Sequence, residues 1–188
     1  MGQDRVRPAL LLAAERRSVG RQELDHFSFL ETTAEISITL AGFVSIFVAL
    51  ARRDGSFQPE FALGIRSILI ASIACLFFAA LPLVLAALSI SGTALWRFSS
   101  AALFLSGMGI AFYMISNLRR LPNAQQQTIY VRIALSLVVF SMLVLVANIF
   151  GWPRPPSAGS YLLSIWLVLG VASINFLDLV FRGILGES

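Results

Sequence analysis

Apolar residues follow one another in long runs along this chain, and short polar segments separate the runs. Five of the runs are about 20 residues long or longer. An α-helix rises about 1.5 Å per residue, so about 20 apolar residues cross the ~30 Å hydrocarbon core of a bilayer. The pattern predicts an all-α integral membrane protein, built as a bundle of five transmembrane helices. The predicted spans are residues 31–51, 60–89, 95–118, 128–150 and 160–181.

The first 27 residues do not fit this pattern, because charged residues surround a short apolar stretch over residues 8–14. That stretch is too short for the apolar region of a signal peptide, and no small-residue cleavage site follows it. We therefore predict an N-terminal segment over residues 1–27, either a short amphipathic helix in the membrane interface or a tail. The five-helix transmembrane domain is then expected to cover residues 28–188.

The composition agrees with a membrane location: 57% of the 188 residues are hydrophobic and only 13% are charged. Soluble domains carry about 25% charged residues. A single cysteine, Cys75, and a single histidine, His26, exclude a disulfide framework and a metal or haem site built from Cys or His. We find no catalytic motif and therefore expect no cofactor, no metal and no enzyme activity.

The arginines indicate an orientation in the membrane. All 14 basic residues are Arg, and in a polytopic protein their placement reports topology, so the net charge of +4 is no argument for nucleic acid. Loops 2–3 and 4–5 carry only Arg97 and Arg154. The other loops and the C-terminal end carry Arg52, Arg53, Arg66, Arg119, Arg120, Arg132 and Arg182. We expect a multi-pass protein of a cell membrane, specifically a bacterial inner membrane, with the N-terminus outside and the C-terminus in the cytoplasm. The five arginines of the N-terminal segment oppose this orientation, although four acids nearly neutralise them.

The first predicted span carries a stripe of polar and small residues on one helical face. At 100° per residue, one face collects Glu31, Glu35, Thr39, Gly42, Ile46, Ala49 and Arg53, with Ser45 on its edge. We call the polar and small members of this face, together with Ser45, the acidic stripe. The opposite face is apolar and includes Leu40, Phe43 and Phe47. A spanning helix turns such a stripe away from lipid, so we predict that it lines a pore or ion path. Two alternatives stay open: Glu31 caps a helix start, and Glu35 forms a structural ion pair.

The second span contains a proline and a ridge of small side chains. Pro82 should kink the helix because it lacks a backbone donor. Ser67, Ala71, Cys75 and Ala79 recur every four residues, the spacing that lets helices approach closely in lipid. We interpret this ridge as a packing surface.

A second group of polar residues is expected at the cytoplasmic end of the bundle. Asp178 and Asn175 share a face of the fifth helix, and alternating spans bring their end beside Arg66 and Arg132. Pairing Asp178 with one of these arginines would avoid an unpaired charge in a low dielectric. The group is interpreted either as a clasp that locks the fifth helix or as a moving gate or proton relay.

These features favour a small homo-oligomeric channel that prefers cations, with helix 31–51 lining the pore. A pore on a symmetry axis needs only one polar-faced helix from each subunit. One alternative is an accessory or assembly subunit of a larger membrane complex, in which the stripes would contact a membrane-protein partner. Another is a compact proton-coupled carrier that uses Glu35 and Asp178. The expected partners are the lipid bilayer and further copies of the chain, with no nucleic acid.

Overall fold

The structure of the protein, a computed structural model, describes the backbone of residues 6–51, 59–118 and 128–185. It describes side chains over residues 25–49, 62, 64–117 and 132–181. Five α-helices and no strand occupy these backbone ranges: α1 Val6–Ala51, α2 Pro59–Ala87, α3 Gly92–Leu118, α4 Thr128–Phe150 and α5 Ala158–Leu185. Each helix is long and apolar enough to cross a membrane. The chain is therefore an all-α, multi-pass membrane protein, as the apolar runs predicted.

Helix α1 is longer than predicted, because it begins at Val6 and continues without a break through residues 27 and 28. Its 46 residues are about 69 Å long, whereas its apolar span covers Asp25–Ala49. The sequence before the span is rich in Ala, Leu, Glu and Arg, which all favour helices, and no proline follows Pro8 before residue 59. Nothing in this segment ends a helix, so its polarity marks where the membrane ends and not where the helix begins.

Two helices end in Schellman motifs, in which a left-handed residue lets the following amides bond back to the helix. At the end of α2, Ser89 has a φ of 65°. Its N–H donates to Ala86 O at 2.9 Å, and Ile90 N–H donates to Leu85 O at 3.0 Å. At the end of α4, Gly151 has a φ of 72°, and the N–H that follows it donates to Ala147 O at 3.0 Å. These caps satisfy terminal carbonyls and make both connections short.

Helix α5 lies at the centre of the bundle and packs against each of the other four helices. It runs antiparallel to α2, and matched contacts follow the whole length of the pair. The thiol of Cys75 approaches the Ile165 carbonyl oxygen at 3.9 Å, and Asn175 Nδ2 approaches Ser67 Oγ at 3.5 Å. Cys75 and Ala79 are almost fully buried. The small-residue ridge of α2 is therefore a packing surface, as predicted.

The buried side chains form two clusters along the membrane normal. One contains Leu30, Leu145, Tyr161 and Ile165, and the other lies around Val44, Ile68 and Leu179. Large apolar side chains also cover the outer surface, with Phe77, Phe112 and Phe150 each more than 70% exposed. In a protein that spans a bilayer, such side chains face lipid. We call the end with the α2–α3 and α4–α5 connections the Trp152 end and the opposite end the Asp178 end.

Candidate functional site

The acidic stripe of α1 lies on the outside of the bundle. Helix α1 packs against α2 and α5 through its opposite side, where Leu30, Thr33, Ser37 and Val44 are at most 1% exposed. The described members of the stripe are all exposed: Glu31, Glu35, Thr39, Gly42, Ser45 and Ala49. Arg53 lies outside the described residues. The chain's own helices therefore leave this face of α1 uncovered.

This arrangement corrects part of the sequence interpretation. Leu40 and Phe47, assigned to the apolar face opposite the stripe, are half-buried and pack against the cluster around Val44. Phe43 is 57% exposed, as a lipid-facing residue would be. Lipid and a protein interior are both apolar. The sequence therefore does not reveal which part of an apolar helix face contacts lipid and which part packs against other helices. The bundle buries one side of that face and leaves the stripe outside.

The capping interpretation of Glu31 is wrong, because Glu31 lies 25 residues after the first residue of α1. Backbone donors are free only in the first turn of a helix, so none remains for Glu31 to cap. Glu35 lies within the candidate membrane span Asp25–Ala49, one helical turn beyond Glu31 and directly before the uncharged run that starts at Ile36. Charged residues inside a membrane span are costly and mark functional sites.

The hydroxyl groups of the stripe use their protons within the helix. Thr39 Oγ1 donates to Glu35 O at 2.8 Å, and Ser45 Oγ donates to Ala41 O at 2.9 Å. Only lone pairs of these hydroxyls then remain for an outside group. Beside them, Gly42 has open space where a Cβ would be. The surface that results offers hydrogen-bond acceptors, which suit a cation or a donor from another helix, and it also carries the apolar side chain of Ile46, which is 59% exposed.

The polar residues of the Asp178 end lie as the alternating spans predicted. Asp178 is half-buried, and its neighbour Leu179 packs beside α2, with Cδ1 3.5 Å from the position of a Cβ on Gly64. Arg66 follows Gly64 by two residues and is exposed, as is Arg132 on α4. Asn175 is half-buried and faces Ser67. The structure therefore brings Asp178 to the same end as both arginines, and the pairing itself stays a prediction.

Comparison with protein-family models, curated proteins and solved structures gives no match.

One polar contact that sequence reasoning missed lies at the predicted kink. Pro82 has no N–H, so the carbonyl of Phe78, one turn earlier, lacks its helical donor. Tyr161 on α5 is completely buried, and its hydroxyl donates to this carbonyl oxygen at 2.6 Å. Pro82 predicts that the Phe78 carbonyl lacks a helical donor, but the sequence does not indicate that the donor is Tyr161, 83 positions after Phe78.

A second missed residue is Asn148, which joins three helical elements near the Trp152 end. It is 3% exposed, and its Nδ2 donates to Ser100 Oγ at 2.8 Å and to Ser157 O at 3.2 Å. Its Oδ1 accepts from Ser157 N–H at 2.9 Å. Because Ser157 immediately precedes α5, Asn148 fixes the start of that helix. An asparagine three residues before a Gly-Trp-Pro loop was the available signal.

Proposed function

We propose that the chain forms a homo-oligomeric, cation-preferring membrane channel in which the acidic stripe of each α1 faces a central axis. One observation supports this proposal above the others: Glu35 lies within a membrane span on a surface that the chain's own helices leave exposed. A charged residue at the centre of a spanning helix costs about 2.5–3.5 kcal/mol on insertion scales, and part of that cost applies to Glu35. Assembly around the stripe removes that cost, because water and ions replace lipid at the carboxylate.

The chemistry of the stripe favours cations. Glu31 and Glu35 supply negative charge, and the hydroxyls of Thr39 and Ser45 present lone pairs because their protons bind helical carbonyls. Such a lining attracts cations and repels anions. Gly42 gives the lining a place without a side chain, where neighbouring α1 helices can approach. The other outer surfaces carry large apolar side chains and suit lipid.

A ring of identical carboxylates also predicts a dependence on pH. Like charges at close range repel one another, and binding of protons or cations relieves the repulsion. Arg52 and Arg53, which follow α1, oppose the entry of cations at the other mouth. Cation selectivity should therefore be weak, and it should fall as the pH drops.

The proposed orientation follows from the arginines. In this proposal the arginines in the connections at the Asp178 end lie in the cytoplasm, and the N-terminus and the Trp152 end lie outside a cell membrane. The bacterial inner membrane is the proposed location. The mouth nearer Glu31 would then be the outer one.

The test of the proposal is the reversal potential of the purified protein in a planar bilayer with asymmetric KCl. We expect cation preference in the wild type, and Glu35→Gln should remove most of it together with its response to pH. Asp25→Asn is the matched control, because Asp25 is an exposed acid at the start of the span and should matter less. A conducting protein whose selectivity is the same in Glu35→Gln and wild type would exclude α1 from the path.

A second candidate function is an accessory subunit of a larger membrane complex. The observation in its favour is the length of α1, because residues before Asp25 continue the helix beyond the apolar span and offer a surface for a partner. In that case the acidic stripe would contact the partner within the membrane. The mass of the purified chain in a membrane mimetic distinguishes the two functions, since a channel must self-assemble and a strict monomer cannot enclose a central pore.

A further inference from the structure

We propose that Arg97 and Arg154 bind the phosphate of an anionic phospholipid at the Trp152 end of the bundle. This site is independent of the acidic stripe and of any conduction. Both arginines are exposed, and within the described part of the chain neither forms an ion pair or hydrogen bond. Two unpaired guanidinium groups at the edge of a membrane domain can bind an anionic group from the same environment.

The α4–α5 loop holds the two arginines near each other. The positive φ of Gly151 turns the chain back over the start of α3. An added Cβ at Gly151 would lie 3.9 Å from Nη2 of Arg97 and 3.9 Å from the backbone oxygen of Arg154. The guanidinium of Arg97 and the backbone of Arg154 therefore flank the same glycine. Arg97 lies near the start of α3 and Arg154 lies in the α4–α5 loop, and the fold brings the side chain of the first beside the backbone of the second.

The depth of Arg97 fits a lipid headgroup. The α3 span, Gly92–Asn117, is 26 residues or about 39 Å long, so each end extends a few ångströms beyond a hydrocarbon core of about 30 Å. Arg97 lies five residues after Gly92, close to the boundary of that core. Its side chain extends toward the loop, as long cationic side chains do when they keep their charge at the interface.

Trp152, which follows Gly151 in the α4–α5 loop, supports the same depth. Trp152 is 75% exposed although it is large and apolar. Exposed tryptophans on membrane proteins concentrate at the level of the headgroups, where the ring meets apolar matter on one side and water on the other. A lipid that is anchored there places its phosphate beside Arg97 and Arg154 and its chains along the apolar surface below. Free phosphate would gain the charge contacts but not this apolar surface, so we assign the site to a lipid.

The experiment uses tryptophan quenching by brominated lipid, because all three tryptophans lie in the half of the bundle next to this end. The full-length protein is reconstituted in phosphatidylcholine vesicles that contain a small fraction of acyl-brominated phosphatidylglycerol or, in parallel, acyl-brominated phosphatidylcholine. Bromine quenches tryptophan only at short range. We expect stronger quenching by the anionic lipid, corresponding to a preference of roughly fivefold for each arginine.

Arg97→Gln/Arg154→Gln should reduce quenching by the anionic lipid to the level of the zwitterionic one. Arg66→Gln/Arg132→Gln removes the same charge at the Asp178 end and should leave the preference unchanged. Equal quenching by the two lipids in the wild type overturns the proposal, and so does a preference that survives in Arg97→Gln/Arg154→Gln. Loss of the preference in both double variants would show a general charge effect. Competition by excess inorganic phosphate would assign the site to the free ion and would equally overturn it.

Discussion

Tyr161 supplies a hydrogen bond that α2 lacks at its own proline. The hydroxyl of Tyr161 donates to the Phe78 carbonyl oxygen, which has no helical donor because Pro82 lacks an N–H. Tyr161 is completely buried. Trp96 packs on the phenol ring, with 5.9 Å between ring centroids. A contact between helices therefore satisfies the carbonyl that Pro82 leaves without a helical donor.

We predict that Tyr161→Phe lowers the free energy of unfolding by about 1–3 kcal/mol, because the buried Phe78 carbonyl loses its hydrogen-bond donor. Unfolding of the purified protein in mixed detergent micelles, followed by circular dichroism, measures this change. Tyr113→Phe is the matched control. Tyr113 is 41% exposed, and its substitution should change stability by less than about 0.5 kcal/mol. Equal stability of the two variants would show that the hydroxyl of Tyr161 contributes nothing at the kink.

Single residues also mark where sequence reasoning succeeds and where it fails. The Cys75 and Ala79 ridge was predictable because small residues at a spacing of four have one structural use in lipid. The side of α1 that faces the bundle was not predictable, because Phe43 and Phe47 are chemically equivalent and only the positions of α2 and α5 separate them. The partners of Asn148 and Tyr161 were out of reach for the same reason: each contact joins distant parts of the chain.

Among the helices, α4 shows how well the membrane thickness defines element bounds. Its predicted span, residues 128–150, coincides with the helix Thr128–Phe150. In α1 the membrane span and the helix have different bounds. Hydropathy predicts the bounds of the span, and helix-breaking residues such as Gly and Pro predict the bounds of the helix. Between Pro8 and the end of the span, Gly20 and Gly42 are the only such residues, and neither ends the helix.

A prediction at the scale of elements concerns the contact between the end of α5 and the start of α2. If Asp178 pairs with Arg66, the pair is only partly shielded from water, so its coupling energy should be about 1 kcal/mol, between exposed and buried values. A double-mutant cycle with Asp178→Asn and Arg66→Gln measures the coupling. The parallel cycle with Arg132→Gln tests the other candidate partner. Additive losses in both cycles would exclude the clasp.

At the scale of the whole molecule, the connections at the two ends differ in their arginines, and this difference predicts an orientation that the five arginines of the N-terminal segment oppose. Cysteines introduced at Ser56 and Ser91 lie in the connections at opposite ends of the bundle. An impermeant thiol reagent added to intact cells should label Ser91→Cys and not Ser56→Cys. Cys75 is 2% exposed and should stay unmodified, so the wild type is the control. Labelling of Ser56→Cys alone would reverse the proposed orientation.

The central position of α5 has a consequence for biosynthesis. Of the five described helices, α5 leaves the ribosome after the others, and it packs against all four of them. Until it enters the membrane, the Phe78 carbonyl lacks the Tyr161 hydroxyl, and Ser141 lacks the backbone oxygen of Ser164 to which its hydroxyl donates at 3.2 Å. Before α5 inserts, the Phe78 carbonyl and the Ser141 hydroxyl of the first four helices therefore lack these partners in lipid. Insertion of α5 closes the bundle in one late step, so a chain that stops before residue 158 presents quality-control proteases with an open membrane domain.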